Sequence, residues 1–251
     1  MTDRAQLSEQ VYARLFGARD TSATEQDPEL MAMLRRLIFG DIFALGGLDD
    51  RTRELITVVV LSTMQTLPQL KAHAAAALNV GVTPIELREA VYQCAPFIGY
   101  PRTLNAVGVI NEVFAEREVD VPLPEQGTIP EEDRYRRGYE IQFPLYGDEI
   151  REGMADLPAE LSEAVPRLLT ESCFGDFYTR GGLSLAQREL LVLCMLATLG
   201  GTEAQLRPHA VGNVKVGNTK TMQVAAMIHC YPYIGFPRAS NAIRIIKALP
   251  D

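Results

Sequence analysis

The sequence lacks the features that define several common classes of protein. It has no run of about 18 uncharged apolar residues, and residues 1–4 do not start an apolar signal region, so it predicts a cytoplasmic protein that does not enter a membrane. It also lacks a cluster of Lys and Arg, and its formal net charge is −8. Because affinity for nucleic acid comes mostly from clustered positive charge, we expect no nucleic-acid partner.

The chain is also poor in cysteine, and no two cysteines have the spacing of a metal or redox site. The four present are Cys94, Cys173, Cys194 and Cys230, which form no CxxC motif and no Cys/His ligand pattern. We therefore predict no metal site and no disulfide framework. Cys94 and Cys230 lie in apolar stretches, which favours buried helical thiols over reactive ones.

What the sequence does contain is one long stretch that occurs twice. Residues 40–105 return as residues 175–241, with an offset of 135 residues that becomes 136 after one insertion near residues 199–201. The clearest copies are Gly40-Asp41 and Gly175-Asp176, Arg53-Glu54-Leu55 and Arg188-Glu189-Leu190, His73 and His209, and the segments 94–102 and 230–238. Solenoid repeats have periods of only about 20–50 residues, so we interpret this one as a duplicated domain. We expect the two halves to be related by a pseudo-two-fold axis.

Apolar residues recur at helical spacing throughout both copies, and no strand-like alternation is evident. Capping boxes at Thr83-Pro84-Ile85-Glu86 and Ser184-x-x-Gln187 mark two helix starts, and Asp49 is a third candidate N-cap. The patterns predict helices over about 5–16, 28–44, 50–65, 68–80, 84–96, 100–114, 134–143, 159–179, 185–199, 203–216, 220–231 and 237–248. We therefore predict an all-α fold with two domains, residues 1–116 and 132–251, joined by a linker at 117–131 that contains three prolines.

Ionisable residues present in both copies are the candidates for chemistry. Glu54 and Glu189 lie near the starts of apolar helices, where a carboxylate is often only an exposed first-turn residue. His73 and His209 lie among small apolar residues, where a histidine is often only a packed side chain. The two halves differ at most other positions, yet both keep the Glu and the His. Packing alone does not require a histidine twice, so this retention favours a function.

The order of these motifs resembles the carboxymuconolactone decarboxylase family, which includes the alkylhydroperoxidase D-like proteins. The resemblance rests on Arg-Glu-Leu, a His about nineteen residues later, Gly-Val-Thr-x-x-Glu, and an aromatic-x-Gly-x-Pro turn followed by Asn-Ala. It covers about residues 30–115 and 160–248 and implies a fusion of two helical domains. Alkylhydroperoxidase D-like proteins carry a CxxC before the His, but the equivalent positions here are Thr66 and Gln69, and Thr202 and Gln205. A thiol-dependent peroxidase activity is therefore disfavoured.

The decarboxylase branch of the family uses no metal, flavin or thiol. The resemblance therefore implies a cofactor-independent lyase that decarboxylates a small carboxylated substrate of the lactone type. Such a reaction needs a proton donor and a group that holds the carboxylate or the enolate. We expect catalysis by Glu54, His73, Glu189 and His209. We expect substrate binding by Arg53, Arg102, Arg188, Arg238, His229 and Tyr233, although each arginine is as readily explained by a helix-end salt bridge.

A non-catalytic binding or assembly protein of the same fold remains the alternative. An apolar pocket that contains Glu, His and Arg would favour the enzyme, whereas a filled core with both histidines on the surface would favour the alternative. In strictly antiparallel helices Glu54 and His73 would be offset by roughly 10 Å. Their contact would then need a steep crossing angle, a water molecule or pairing across the repeats.

The two candidate sites are not expected to be equivalent. The second copy has His229 where the first has Gln93, and it has Tyr231 and Tyr233 beside the Gly235-Phe236-Pro237-Arg238 turn, which gives it more hydrogen-bonding groups. We therefore expect the second half to be the more active. The resemblance also implies a ring-like assembly, which for a two-domain chain is a homotrimer.

Overall fold

Helices provide all the regular secondary structure of the described chain. The computed structural model describes residues 3–17 and 27–250, and no strand occurs in these ranges. The first half contains α1 (Arg4–Phe16), α2 (Pro28–Arg35), a π-helix (Arg36–Ile42), α3 (Asp50–Met64), α4 (Leu67–Asn79), α5 (Pro84–Tyr92), α6 (Ala95–Ile98) and α7 (Tyr100–Glu116). The second half contains a 3₁₀ turn (Glu131–Asp133), α8 (Arg134–Tyr146), α9 (Glu149–Gly153), α10 (Ala159–Leu168), a second π-helix (Leu169–Tyr178), α11 (Leu185–Leu199), α12 (Glu203–Lys215), α13 (Lys220–Ile234) and α14 (Phe236–Lys247). The predicted all-α class is confirmed.

The predicted helix starts follow from local hydrogen bonds. Asp49 accepts a hydrogen bond from the Thr52 amide at 2.8 Å, and both capping boxes, at Thr83 and at Ser184, form as predicted. The helices that follow Asp49 and Ser184, α3 and α11, are buried for most of their length. They form the centre of the core, as the nearly continuous apolar runs at residues 55–61 and 190–196 indicate.

The predicted helices 28–44 and 159–179 each change from α to π hydrogen bonding partway along. In the first, the Phe43 amide donates to the Ile38 carbonyl oxygen five residues earlier, at 3.1 Å. The backbone of α1 approaches this segment so closely that a Cβ atom at Gly40 would lie 2.6 Å from the Arg4 carbonyl oxygen. Only glycine allows such an approach, and apolar periodicity alone does not reveal it.

The same packing recurs in the second half and identifies a longer repeat. A Cβ atom at Gly175 would lie 2.6 Å from the Arg134 carbonyl oxygen of α8. The Arg134 guanidinium pairs with Asp176 at 2.6 Å, as that of Arg4 pairs with Asp41 at 2.9 Å. Helices α1 and α8 are therefore equivalent elements, each of 13 residues. The repeat recognised in the sequence starts at Gly40 and therefore does not include these two helices.

Other helix bounds differ from the prediction in smaller ways. The predicted helix 84–96 ends at Tyr92 and resumes as the short α6, whereas its counterpart α13 continues through Pro232 to Ile234. The short helix α9 was not predicted. No helix occurs between Glu116 and Glu131, the region predicted to be a linker, while the exact domain bounds stay a prediction. Nowhere in residues 3–17 or 27–250 is a helix both long enough and apolar enough to cross a membrane.

The two halves pack on each other through reciprocal contacts. Arg53 Nη1 of α3 lies 3.3 Å from His229 Nδ1 of α13. The equivalent Arg188 of α11 donates from Nη1 to Gln93 Oε1 at 2.8 Å. Because Gln93 and His229 occupy the same position in the repeat, each half directs its arginine to the same position of the other half. Such reciprocity is the signature of a pseudo-two-fold axis between the halves.

Candidate active site

The first Glu/His pair is in direct contact inside one repeat. Helices α3 and α4 meet at Gln65, which adopts a left-handed conformation with φ of 60°. This turn brings His73 Nδ1 to 2.8 Å from Glu54 Oε2. Glu54 is fully buried, and His73 is 8% exposed. The offset expected from strictly antiparallel helices is therefore overcome without a bridging water.

The ring of His73 lines a cavity of about 430 Å³. The walls are mainly apolar and include Phe16, Phe39 and Leu61. Since Nδ1 faces Glu54, the other ring nitrogen, Nε2, is the atom left for a ligand. No Arg or Lys is among the described residues that line this cavity.

The second repeat contributes Tyr233 to the same cavity, which makes the site composite. The rings of Tyr233 and His73 meet edge to face with centroids 5.8 Å apart. Burial and the nearby charge of Glu54 raise the pKa of Tyr233 far above its usual value, so its hydroxyl stays protonated and is a hydrogen-bond donor.

Three buried polar atoms of this first site have no hydrogen-bond partner among the described residues: Glu54 Oε1, Thr66 Oγ1 and the Tyr233 hydroxyl. Thr66 and Tyr233 line the cavity, and Glu54 lies behind His73. An unpartnered buried polar atom costs about 1–3 kcal/mol, so such atoms are rare unless a ligand or water uses them. The first site therefore holds an unused acceptor and two unused hydroxyls.

The second Glu/His pair is built differently. His209 Nδ1 lies 3.2 Å from Glu189 Oε2, and the Tyr146 hydroxyl stands 2.7 Å from the same nitrogen. Tyr146 donates to Glu189 Oε2 at 2.5 Å, and Tyr178 donates to Glu189 Oε1 at 2.6 Å. Both carboxylate oxygens of Glu189 are therefore occupied by tyrosine hydroxyls. His209 lines a smaller cavity, of about 260 Å³.

At three equivalent aromatic positions around the pair, one site has phenylalanine and the other has tyrosine, whereas Phe39 and its equivalent Phe174 are phenylalanine in both. The first repeat contributes Phe97 to the His209 cavity, with ring centroids 5.8 Å apart, as the second contributes Tyr233 to the His73 cavity. The three equivalent pairs, first site before second, are Phe16 and Tyr146, Phe43 and Tyr178, and Tyr233 and Phe97. In these three pairs, the tyrosines of the second site come from the same repeat as its Glu/His pair, and the tyrosine of the first site comes from the opposite repeat.

Arg53 and His229 form a buried polar contact between the repeats and line neither histidine cavity. Arg53 donates to the Leu45 carbonyl oxygen at 2.5 Å, and His229 Nε2 lies 3.0 Å from the Arg53 carbonyl oxygen. An arginine can only donate, so Nδ1 of His229 accepts and Nε2 carries the proton. Burial and the Arg53 charge lower the pKa of His229 to about 3, so its ring is neutral near pH 7.

The other arginines predicted to bind substrate also point elsewhere. Arg188 is fully buried and bonds to Gln93, with Glu89 Oε2 at 3.5 Å. Arg102 is exposed, and Arg238 donates to the Thr198 carbonyl oxygen at 2.6 Å and lines a separate cavity of about 310 Å³. Of the six predicted substrate-binding residues, only Tyr233 lines a cavity with a histidine of a Glu/His pair.

Sequence reasoning missed the aromatic residues of these sites other than Tyr233, among them Phe97, Tyr178 and Tyr146. The exchanges at Phe97 and Tyr178 are visible when the repeats are aligned, because their counterparts differ by a hydroxyl. Tyr146 carries no such signal, since α8 was not recognised as the equivalent of α1.

The predicted burial of Cys94 and Cys230 is confirmed. All four are buried, and burial raises the pKa of Cys94, Cys173 and Cys194, which disfavours the thiolate. Cys173 lines the second cavity. In the described part of the chain, no three His, Cys, Asp or Glu side chains converge as metal ligands would.

Comparison with known proteins shows the same duplication. The model of the carboxymuconolactone decarboxylase family matches twice, at residues 28–112 and 163–248. Over 83 residues the chain is 32% identical to 4-carboxymuconolactone decarboxylase of Acinetobacter baylyi, which is 33% of this chain and 62% of that protein. Over 88 residues it is 32% identical to nitrosuccinic acid decarboxylase of Metarhizium robertsii, which is 34% of this chain and 62% of that protein.

A solved structure shares the complete fold. It is that of a protein from Burkholderia xenovorans provisionally assigned as a gamma-carboxymuconolactone decarboxylase subunit, with a TM-score of 0.57 and 21% identity over 98% of this chain and 97% of that one. At this identity the likeness concerns the fold alone. The family match in both halves, on a duplicated helical fold with a Glu/His pair in each half, shows that this chain belongs to the carboxymuconolactone decarboxylase family.

Proposed function

We propose that the protein is a cofactor-independent decarboxylase of a small carboxylated substrate and that it works by acid–base chemistry of a buried Glu/His pair. The observation that carries the proposal is the 2.8 Å contact between His73 Nδ1 and Glu54 Oε2 beside an apolar cavity. A carboxylate that accepts from one ring nitrogen orients the imidazole and stabilises its protonated form. The other nitrogen then faces the cavity as a proton donor.

The reaction separates into two steps. The bond between the carboxylate and the adjacent carbon breaks, carbon dioxide leaves, and the electron pair moves onto a conjugated oxygen to give an enolate. Protonated His73 then delivers the proton on Nε2 to the carbon, and the imidazole becomes neutral against Glu54. The hydroxyls of Tyr233 and Thr66 are the available donors for the enolate oxygen, where negative charge develops.

The names of two relatives support this reaction class. Carboxymuconolactone and nitrosuccinic acid are both acids in which the electron pair left by carbon dioxide can spread onto an oxygen, through the lactone in one and the nitro group in the other. The matched segment spans 62% of each of these proteins. The proposal therefore extends to this chain only the class of reaction, and it leaves the substrate to experiment.

The carboxylate anchor differs from the one expected from the sequence. No arginine lines either histidine cavity within the described chain. In the proposal, the cation that attracts the substrate is therefore protonated His73 itself, and the arginines at the repeat interface hold the scaffold that positions the helices. The alternative, a binding or assembly protein, is disfavoured because both histidines lie beside cavities and next to buried carboxylates.

The test is release of carbon dioxide from 4-carboxymuconolactone, nitrosuccinic acid and related β-carbonyl acids. We expect His73→Ala and Glu54→Gln to lower the rate on the best substrate on the order of 10²-fold or more, because a proton-transfer group or its partner is lost. Glu112→Gln is the matched control, since this residue is exposed and forms an ion pair with Lys71 at the surface. The binding-protein alternative gains support if no acid releases carbon dioxide, or if all variants fold and keep the wild-type rate.

We also propose that the chains associate as trimers, which is the assembly implied by the family resemblance. Equivalent helices α2 and α10 expose apolar side chains, including Leu30 at 64%, Met33 at 56%, Leu161 at 53% and Leu168 at 55% exposure. Exposed apolar surface of this kind favours association. Light scattering at micromolar concentration should give three chains per particle, and a monomer would refute the proposal.

A further inference from the structure

We propose that each chain has one reactive histidine, His73, and that Tyr146 is a positioning residue that withholds His209 from the same chemistry. The inference rests on the proposed function for the reaction that His73 performs. Its evidence is the difference between two otherwise equivalent sites in one molecule. It assigns a role to a tyrosine that the sequence pattern did not indicate.

The first difference lies in what each imidazole contacts. His73 Nδ1 faces the Glu54 carboxylate at 2.8 Å, whereas His209 Nδ1 faces the Tyr146 hydroxyl at 2.7 Å, with Glu189 more distant at 3.2 Å. Burial and the Glu189 charge raise the pKa of Tyr146 far above its usual value, so the tyrosine stays neutral. A neutral hydroxyl is a weaker acceptor than a carboxylate, and it therefore activates the opposite nitrogen less.

The second difference lies in the carboxylates. Each oxygen of Glu189 accepts a short bond, from Tyr146 at 2.5 Å and from Tyr178 at 2.6 Å. Among the described residues, Glu54 accepts only from His73, and its Oε1 atom is buried without a partner there. Two hydroxyl donors stabilise the negative charge on Glu189 and leave it less able to stabilise a positive charge on His209. Glu54 retains that ability for His73.

Access to solvent does not explain such a difference. The His73 side chain is 10% exposed and that of His209 is 15% exposed. Exposure alone therefore predicts that His209 reacts slightly faster with a small reagent. The hydrogen bonds predict the opposite order, so a measurement of reactivity separates the two explanations.

The equivalence of α1 and α8 identifies the residue that makes the difference. Phe16 and Tyr146 are the last residues of these helices, and each ring packs against the histidine of its own half, with centroids 5.3 and 5.0 Å apart. A phenylalanine in this position has no hydroxyl group, so it cannot form hydrogen bonds to the histidine and the carboxylate in place of their contact with each other. Replacing Tyr146 with Phe should therefore restore the arrangement of the first site.

This inference reverses the preference drawn from the sequence. That preference relied on Tyr233 and His229, which belong to the second repeat. In the fold, Tyr233 lines the cavity of His73, and His229 bonds to Arg53 of the first repeat. The residues that favoured the second half thus lie beside the first site.

The experiment is alkylation by bromoacetate, a small carboxylate that reports nucleophilic imidazoles without any knowledge of the substrate. The rates are compared on the alkaline side of each pH profile, where the ring nitrogens are unprotonated and can attack. A ring nitrogen attacks the methylene carbon, a C–N bond forms, and bromide leaves. The chain has three histidines, so peptide mass spectrometry assigns each product. All four cysteines are buried, and the fully buried His229 serves as an internal control.

We expect His73 to be alkylated roughly tenfold faster than His209, which corresponds to about 1.4 kcal/mol. Tyr146→Phe should speed the reaction of His209, and the reciprocal Phe16→Tyr should slow that of His73. Tyr139→Phe, on the same helix as Tyr146 but bonded to Asp148, should change neither rate. Circular dichroism checks that each variant is folded, and Phe16→Tyr carries the test if Tyr146→Phe does not fold.

Three results would overturn the inference: equal or faster alkylation of His209, no alkylation of His73, or a folded Tyr146→Phe variant with an unchanged His209 rate. The outcome is independent of the proposed function. If no acid releases carbon dioxide, the decarboxylase proposal fails while the alkylation ratio still decides the inference. If carbon dioxide is released but the two histidines react alike, only the inference fails.

Discussion

Burial of His229 between the repeats makes the fold sensitive to acid. The pKa of His229 is lowered from 6.5 to about 3, first by burial and then by the charge of Arg53. Below about pH 6.5 the unfolded chain therefore binds a proton at this residue that the folded chain does not bind. Stability from the neutral ring is fully present above that pH and is lost progressively as the pH falls toward 3.

The size of the effect follows from the shift. Each pH unit below the unfolded pKa costs about 1.4 kcal/mol, so wild type should lose about 2–3 kcal/mol at about pH 4.5 through His229 alone. His229→Gln removes the group that titrates, and with it this loss of stability in acid. Glutamine suits the position because Gln93, its equivalent in the first repeat, accepts a hydrogen bond from Arg188. The reciprocal Gln93→His should add a second acid-sensitive group.

The assay is urea unfolding followed by circular dichroism at about pH 7.5 and about pH 4.5. The free energy of unfolding should fall between these values by about 2–3 kcal/mol less in His229→Gln than in wild type. Other titrating groups are common to both proteins and cancel in this difference. Equal losses in the two proteins would refute the assignment of His229 as a buried neutral imidazole.

Three further predictions concern the packing around the sites, each measured as a change in the free energy of unfolding. Glu89→Gln leaves three arginines, Arg88, Arg180 and Arg188, without their buried carboxylate and should cost about 3–5 kcal/mol. The exposed Glu112→Gln should change little, and similar values for the two variants would contradict the buried ion pairs. Gly175→Ala places a Cβ 2.6 Å from a backbone oxygen and should cost about 1–3 kcal/mol, while Gly153→Ala enters open space and should be tolerated. Tyr178→Phe removes a hydroxyl from Glu189 and should cost about 1.5–3 kcal/mol, so an unchanged stability would show that this bond contributes nothing.

Much of the fold was predictable because local signals and the duplication agree. The caps at Asp49, Thr83 and Ser184 fix helix starts through bonds within a few residues, and the buried helices α3 and α11 contain nearly continuous apolar runs. The π-helices were not predictable in the same way. They reflect the approach of another helix at Gly40 and Gly175, which is a tertiary contact with no periodic signature.

The candidate site was only partly predictable, for a related reason. The Glu and His positions stand out because both copies contain them, and the structure places each pair in contact. The arginines next to Glu54 and Glu189 stand out equally, yet α3 and α11 direct them toward the other repeat, where protein groups occupy them. Adjacent residues on a helix point about 100° apart, so sequence proximity to a catalytic candidate does not place a side chain in its cavity.

The fusion of the two halves is what permits the sites to differ. Each cavity combines helices of one repeat with one aromatic residue of the other, at Phe97 or Tyr233. In a symmetric dimer of identical chains, a substitution would appear in both sites at once. In a single chain, Tyr178 can donate a hydrogen bond to Glu189 while Glu54 has no equivalent tyrosine donor. In the same way, Tyr233 lines the first cavity, and its equivalent in the second cavity is Phe97. A carboxylate with both oxygens bonded and one with an unpartnered buried oxygen can then coexist in one molecule.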